Sequence, residues 1–180
     1  MSVKELGIGS PAPNFSLPGV DGSEYSLESF ANKKILVIIF SCNHCPYVRA
    51  YEDRMVALQR DYVTKGVALV AINSNETKNY PTDSFEHMVE RAEEKGFNFP
   101  YLRDETQAIA DAYGAERTPH LFVFDESRAL RYIGAIDDNW KEPKKARIHY
   151  LRDALDALLE GRAIAEPETY AIGCTIKWES

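Results

Sequence analysis

Two uninterrupted apolar segments of strand length, separated by one amphipathic stretch, constrain the fold more than any other feature of the sequence. The first is residues 35–40 (ILVIIF) and the second is residues 67–72 (VALVAI). Strands that are apolar on both faces are typical of a parallel sheet covered by helices. Between them, apolar residues recur every three or four positions over residues 46–65, which predicts a helix that Gly66 ends. An α/β fold built on a β-α-β unit is therefore expected.

The rest of the pattern completes a single domain over residues 1–180. Asp83 and Glu86 are spaced as a capping box, which predicts that a helix begins there and ends at Gly96. The other expected elements are a hairpin at residues 15–27, a short extended piece at 97–102, a helix at 105–113, a hairpin formed by 121–124 and 130–135, a helix at 144–160, and a tail at 162–180 that packs on the domain.

Charge and composition exclude several classes of function. The chain carries 21 basic and 28 acidic side chains, a formal net charge of -7, and such a balance disfavours binding to a nucleic acid backbone. No apolar run reaches the roughly 18 residues that a membrane span requires. The first fifteen residues also lack the apolar core of a secretory signal. We therefore expect no nucleic acid partner, no membrane partner and a cytoplasmic location.

The motif that carries chemistry is Cys-x-x-Cys at Cys42 and Cys45, between the first apolar strand and the predicted helix. Two intervening residues let both sulfurs meet across the first turn of a helix, where backbone N–H groups and the helix dipole stabilise a thiolate. In that geometry we expect Cys42 to be the exposed attacking thiol, with a lowered pKa, and Cys45 to resolve a mixed disulfide. His44 lies between them, and a protonated ring there would lower the pKa of Cys42 further.

Two prolines accompany this motif. Pro46 follows Cys45 directly, so either the helix begins at Cys42 and is kinked at Pro46, or Pro46 is its first residue and Cys45 is its N-cap. The other proline is in Thr118-Pro119, just before the strand predicted at 121–124. An X-Pro bond can adopt the cis form at little cost. A cis bond here would place the Thr118 backbone beside the cysteines, where it can bind an extended substrate.

With these motifs the chain resembles thioredoxin-fold proteins of the redoxin branch, over roughly residues 8–160. That branch includes peroxiredoxins of the AhpC/TSA group and TlpA/ResA-like thiol–disulfide oxidoreductases. The resemblance implies a central mixed sheet flanked by helices, an N-terminal hairpin and a strand–helix insertion before a cis-proline. The residues that carry it are Phe40 to Cys45, Thr118-Pro119, Gly9 to Leu17, Asp21-Gly22 and Leu27; the ending Gly173 to Trp178 is similar to the tail of a thioredoxin-family group that also carries CxxCP.

The resemblance also implies roles for these residues. Cys42 would be the nucleophile and Cys45 the resolving thiol. Thr118 and Pro119 would form the loop that binds substrate. The implied activity is exchange of a Cys42–Cys45 dithiol or disulfide with disulfides of proteins or small molecules. It needs no cofactor, and its electron donor would be a thiol that the sequence does not identify.

Two other functions are compatible with a Cys-x-x-Cys motif. A peroxiredoxin-like thiol peroxidase would pass through a sulfenic acid. Peroxiredoxins carry Pro-x-x-x-Thr/Ser-x-x-Cys, which neither cysteine matches: Ile35 and Ile39 precede Cys42, and Ile38 and Cys42 precede Cys45. A copper- or zinc-binding chaperone would use both cysteines and His120 as ligands, although copper chaperones of this fold carry CxxxCP. No resident metal is expected.

Two questions about proton and electron transfer stay open. Cys174 lies in the tail, and it is either a small side chain packed on the domain or a third redox partner brought over the motif. The strand at residues 35–40 has no ionisable side chain to deprotonate the second thiol. That proton would therefore pass to His44, to water or to an acid elsewhere in the chain.

Overall fold

The computed structural model describes residues 5–180, and alternating strands and helices occupy most of this range. The elements are β1 (Ser16–Pro18), β2 (Glu24–Ser26), β3 (Ile35–Ser41), α1 (Pro46–Tyr62), β4 (Val67–Asn73), α2 (Phe85–Lys95), β5 (Tyr101–Arg103), α3 (Ala108–Tyr113), β6 (Arg117–Thr118), β7 (His120–Phe124), β8 (Leu130–Gly134), α4 (Tyr150–Leu159) and β9 (Cys174–Thr175). The first four residues of the expected domain lie outside the described residues.

A five-stranded mixed sheet in the order β5-β4-β3-β7-β8 forms the centre. β3 pairs parallel with β4 and antiparallel with β7, so the sheet changes direction at its central strand. β1 and β2 form the expected hairpin, and β6 pairs antiparallel with β9 as a separate two-stranded ribbon. This is the thioredoxin-like architecture that the sequence predicts.

Alternate side chains of β3 supply two apolar layers, one on each face of the sheet. Ile35, Val37 and Ile39 pack on the face covered by α1, α2 and α4. Leu36, Ile38 and Phe40 pack on the opposite face, with the N-terminal segment and α3. Because both faces are covered, the strand can be continuously apolar, as its sequence is. No helix within residues 5–180 is long and apolar enough to cross a membrane.

Several predicted element boundaries are wrong, including the start of α3, which is Ala108 rather than residue 105. The N-cap of α2 is Ser84, whose hydroxyl accepts the His87 N–H, while Asp83 is buried in polar contacts described below. The last helix begins at Tyr150 rather than 144, because Pro143 opens a short 3-10 turn and Arg147 N–H is held by the Asp138 carboxylate. The extended piece expected at 97–102 is the shorter strand β5.

Candidate active site

The Cys-x-x-Cys motif fills the connection between β3 and α1. β3 ends at Ser41, and Cys42 follows it at the edge where the parallel strands end. Pro46 is the first residue of α1 and Cys45 is its N-cap, with an extended backbone. Of the two arrangements that the sequence leaves open, the structure has the second. The missing N–H of Pro46 therefore falls where a helix has no partner for it.

Three sulfurs meet at this helix end. The side chain of Cys42 is 3% exposed and that of Cys45 is 5% exposed, and both pack on Val48. The tail brings Cys174 onto the same cluster, with its Sγ 2.7 Å from the Cys45 Sγ. All three are free cysteines, and Cys174 is half-buried. The two motif thiols therefore lie beneath the tail rather than at an open surface.

The loop at Thr118 forms the other wall of the cluster. The Thr118–Pro119 peptide bond is cis. The Thr118 hydroxyl lies 3.5 Å from the Cys42 Sγ, and the Thr118 carbonyl oxygen lies 3.4 Å from the Cys45 Sγ. The Thr118 backbone is already paired with Cys174 of β9. The edge that was expected to bind an extended substrate is therefore filled by the tail of this chain.

The distribution of charge among the thiols differs from the prediction. The pKa of Cys45 is lowered to about 5, first by a hydrogen bond from Cys42 and then by donors that include the Cys174 thiol and the Val48 backbone N–H. The pKa of Cys42 is raised well above its ordinary value, because it shares that hydrogen bond with Cys45, is buried, and faces the charge of Asp83. The prediction of an exposed Cys42 with a lowered pKa is therefore wrong.

The two histidines singled out in the sequence make their polar contacts with groups other than the cysteines. His44 is exposed, and its Nδ1 is 3.5 Å from Arg49 Nη2. Among the described residues no hydrogen bond joins His44 to a cysteine. No contact in the structure therefore supports its predicted effect on the pKa of Cys42. His120 is buried; its Nδ1 accepts the Glu116 N–H at 3.2 Å, and its Nε2 lies 3.1 Å from a Glu5 carboxylate oxygen.

Both ring nitrogens of His120 are therefore engaged by protein groups rather than turned toward the thiols. Residues 5–180 contain no group of three or more His, Cys, Asp or Glu side chains placed to hold a metal ion.

A buried polar network supports the motif from the side of β4, and sequence reasoning missed it. One oxygen of the Asp83 carboxylate accepts the backbone N–H of Asn43 at 2.7 Å and the Asn73 side chain at 3.1 Å. The other oxygen accepts the Asn75 side chain at 3.0 Å, and Tyr101 O–H donates to the Asn43 amide oxygen at 2.7 Å.

Asp83 is 2% exposed, so this acid is an integral part of the site. The available signal was the pair of amide side chains at the carboxyl end of β4, Asn73 and Asn75, because α/β folds place sites at the carboxyl ends of parallel strands.

The architecture agrees with what known proteins show. The Redoxin family profile matches residues 8–148, which is most of the chain. The chain belongs to the Redoxin family. It is an enzyme of the thioredoxin-like thiol–disulfide oxidoreductase class.

Two relatives and one solved structure support this assignment. The chain is similar to the thioredoxin-like protein YneN of Bacillus subtilis, with 31% identity over 79% of this chain and 82% of the relative. It is also similar to the thiol-disulfide oxidoreductase ResA of Geobacillus thermodenitrificans, with 26% identity over 71% of this chain and 69% of the relative. A crystal structure of a conserved protein from Geobacillus kaustophilus superimposes with a TM-score of 0.90 at 45% identity, covering 96% of this chain and 93% of that one.

Proposed function

We propose that the chain exchanges a Cys42–Cys45 dithiol with disulfides, and that Cys45 is the sulfur that attacks. The observation that carries this proposal is the position of Cys45, at the N-cap of α1 and next to two other thiols, with its pKa lowered to about 5. A thiol with that pKa is a thiolate at neutral pH, and the thiolate is the nucleophile in disulfide exchange.

The exchange then has two steps. The Cys45 thiolate attacks one sulfur of an external disulfide, forms a mixed disulfide with it and releases the other half as a thiolate. Cys42 then attacks the Cys45 sulfur, which forms the Cys42–Cys45 disulfide and releases the second half of the substrate as a thiolate that takes up the proton lost by Cys42. The substrate gains two electrons and the protein loses two. This order reverses the roles that the family resemblance implied for the two cysteines.

The accessible space at the cluster favours small disulfides over folded proteins. The tail strand covers the edge beside Thr118, and the Cys174 sulfur lies against Cys45. Because both motif thiols are buried beneath the tail, any disulfide needs the tail to move before it reaches Cys45, and a small disulfide needs a smaller opening than a folded protein. That a thiol returns electrons to the protein stays a prediction. The cytoplasmic location of the protein also stays a prediction.

Trapping of the first mixed disulfide tests the proposal. In a Cys42→Ser/Cys174→Ser variant, glutathione disulfide at pH 7 should leave one glutathione stably bound to Cys45, as mapped by peptide mass spectrometry. The matched Cys45→Ser/Cys174→Ser variant should react more slowly at Cys42, because burial and the charge of Asp83 still raise the pKa of that thiol. Preferential trapping on Cys42 would contradict the assignment.

Reaction with hydrogen peroxide distinguishes disulfide exchange from a peroxiredoxin-like peroxidase activity. A peroxiredoxin-like enzyme would convert Cys45 to a sulfenic acid rapidly, and a dimedone adduct would form at that residue. We expect disulfide exchange to be faster than peroxide consumption, because neither cysteine has the peroxiredoxin pattern before it.

A further inference from the structure

The C-terminal tail adds a strand to the edge of the site. β9 pairs antiparallel with β6, with Cys174 opposite Thr118 and Thr175 opposite Arg117. The Arg117 guanidinium also donates to the Gly173 carbonyl at 3.0 Å, and Ile176 N–H donates to the Glu116 carbonyl at 3.0 Å. Backbone pairing along a free strand edge is the mode by which an extended peptide binds to a sheet. The tail therefore occupies the position of a peptide substrate.

The approach of the tail is closer than any side chain at Gly173 would allow. A Cβ placed on Gly173 would lie 2.1 Å from the Thr118 carbonyl oxygen, a contact that real Cβ atoms do not make. Beyond β9, Lys177 is fixed at both its backbone groups: its N–H donates to the Asn75 amide oxygen at 2.9 Å, and its carbonyl accepts the Gln107 side chain at 2.8 Å. These contacts hold Cys174 in register with the motif.

We propose that Cys174 is an internal disulfide partner of Cys45, held in the substrate position by the tail strand β9. This inference rests on the proposed function, since it requires that Cys45 enter disulfides at all. Cys174 is also the most accessible of the three cysteines. A disulfide moved from Cys42–Cys45 to Cys45–Cys174 therefore becomes open to external thiols.

The transfer is an exchange within the oxidised protein and needs no further oxidant. Burial and the neighbouring Cys45 raise the pKa of Cys174 to about 11 in the reduced protein, so Cys174 first loses its proton and then attacks the Cys45 sulfur of the Cys42–Cys45 disulfide. The Cys42–Cys45 bond breaks, the Cys45–Cys174 bond forms, and Cys42 leaves as a thiolate that takes up the proton lost by Cys174. No electrons enter or leave the protein, and an external thiol can then reduce the new disulfide by attacking Cys174.

A Cys42→Ser variant isolates the proposed pair. Glutathione disulfide should first form a mixed disulfide on Cys45, which Cys174 then attacks, releasing glutathione. Because an intramolecular thiol acts at an effective concentration of millimolar or more, micromolar glutathione should not compete. We expect nearly all molecules to carry a Cys45–Cys174 disulfide, as mapped by peptide mass spectrometry. Cys42→Ala should give the same product if serine disturbs the fold.

Two glycine variants test the placement of the tail without removing a thiol. In the Cys42→Ser background, Gly173→Ala should shift the product from the internal disulfide to a glutathione adduct on Cys45. Gly7→Ala is the matched control, because a Cβ there would meet only the Ser10 hydroxyl at 3.9 Å. It should leave the internal disulfide unchanged.

The outcomes separate this proposal from the proposed function. If Cys42→Ser carries only glutathione adducts while the wild-type protein still forms Cys42–Cys45, the role of Cys174 is refuted and the proposed function stands. If Cys42→Ser/Cys174→Ser binds no glutathione at Cys45, the proposed function itself fails. A Cys45–Cys174 disulfide that is lost on Gly173→Ala supports the internal partner.

Discussion

The two segments that supply the three thiols are held in place by different means. The motif segment, residues 42–48, continues directly from β3, whose residues are all buried and whose six apolar side chains belong to the two apolar layers. The tail segment, residues 173–177, contains a strand of two residues, and only Ile176 in it is fully buried. The tail is held mainly by hydrogen bonds to β6 and to the Asn75 and Gln107 side chains.

This difference indicates that the motif segment and the tail segment differ in local stability. Segments with few buried apolar contacts open at a lower free energy than the core that surrounds them. The motif segment therefore keeps Cys42 and Cys45 together in every native molecule, whereas the tail can open locally and admit a substrate.

The largest effect is expected at the thiolate. Absorbance at 240 nm should report a thiolate that titrates near pH 5 in the wild-type protein, because the hydrogen bonds at Cys45 lower its pKa to about 5. Cys45→Ser should abolish this titration, and Cys174→Ser should raise its midpoint by a smaller amount. If the titration survives in Cys45→Ser and disappears in Cys42→Ser, the thiolate is Cys42 and our assignment is wrong.

The same pKa makes stability depend on pH. A group whose pKa is lowered on folding stabilises the native state above its unfolded pKa, and that contribution is lost as the pH falls through the folded pKa. The difference in unfolding free energy between the wild type and Cys45→Ser should therefore shrink from pH 9 toward pH 5. A difference that stays constant over this range in urea titrations would contradict the lowered pKa.

A core substitution beneath the motif should cost the most stability. Phe40 is fully buried, and its ring packs on Tyr113 and Phe122 with centroids 5.6 and 5.7 Å apart. Phe40→Ala should lower the unfolding free energy by about 3–5 kcal/mol, measured in urea. If Phe40→Ala instead leaves the unfolding free energy unchanged and affects only the tail, the packing of Phe40 does not support the motif segment.

Removal of the buried acid should affect both stability and reactivity. Asp83→Asn replaces a carboxylate that accepts three hydrogen bonds, and the expected cost is about 2–3 kcal/mol. Because the Asp83 charge raises the pKa of Cys42, alkylation of Cys42 by iodoacetamide should shift to lower pH. Asp125→Asn is the control, since Asp125 also accepts backbone hydrogen bonds but belongs to the β7–β8 turn. An unchanged Cys42 profile in Asp83→Asn would leave Asp83 with a structural role alone.

The smallest effect on stability is expected in the tail anchor. The Gln107 side chain bonds the Lys177 carbonyl and the Glu179 N–H, and Gln107→Ala should lower the unfolding free energy by only about 1–2 kcal/mol. Hydrogen exchange in residues 174–177 should nevertheless become much faster. Asn98→Ala, which removes a side-chain bond to the Val56 carbonyl, should leave exchange in the tail unchanged. Equal protection in both variants would mean that Gln107 does not hold the tail.

Much of the fold could be predicted because the decisive signals are local. The apolar run of β3, the three-and-four spacing of α1 and the Thr118-Pro119 pair each lie within a few residues, and all are found where expected. The start of α4 was misplaced because an apolar pattern continues through Ile148, although Pro143 and the Asp138 carboxylate turn the backbone there.

Which of the two motif cysteines has the lowered pKa could not be predicted, because the signals that decide it are not local. It depends on groups that are distant in sequence, since Asp83 lies about forty residues from the motif and Cys174 about 130 residues from Cys45. A general rule for helix N-termini indicates that a thiolate forms. Which cysteine carries it depends on the donors that the tail and the first turn of α1 place around each sulfur.

A count of free thiols across a glutathione redox series, with each disulfide mapped by peptide mass spectrometry, determines whether Cys42 and Cys45 form one exchanging pair. In Cys174→Ser protein, Cys42 and Cys45 should lose their thiols together in one two-electron step. Because the Cys45 thiolate stabilises the reduced form, the midpoint should be less negative than the value of about −270 mV typical of thioredoxin. Independent glutathione adducts on the two cysteines, with no Cys42–Cys45 bond at any potential, would contradict the account.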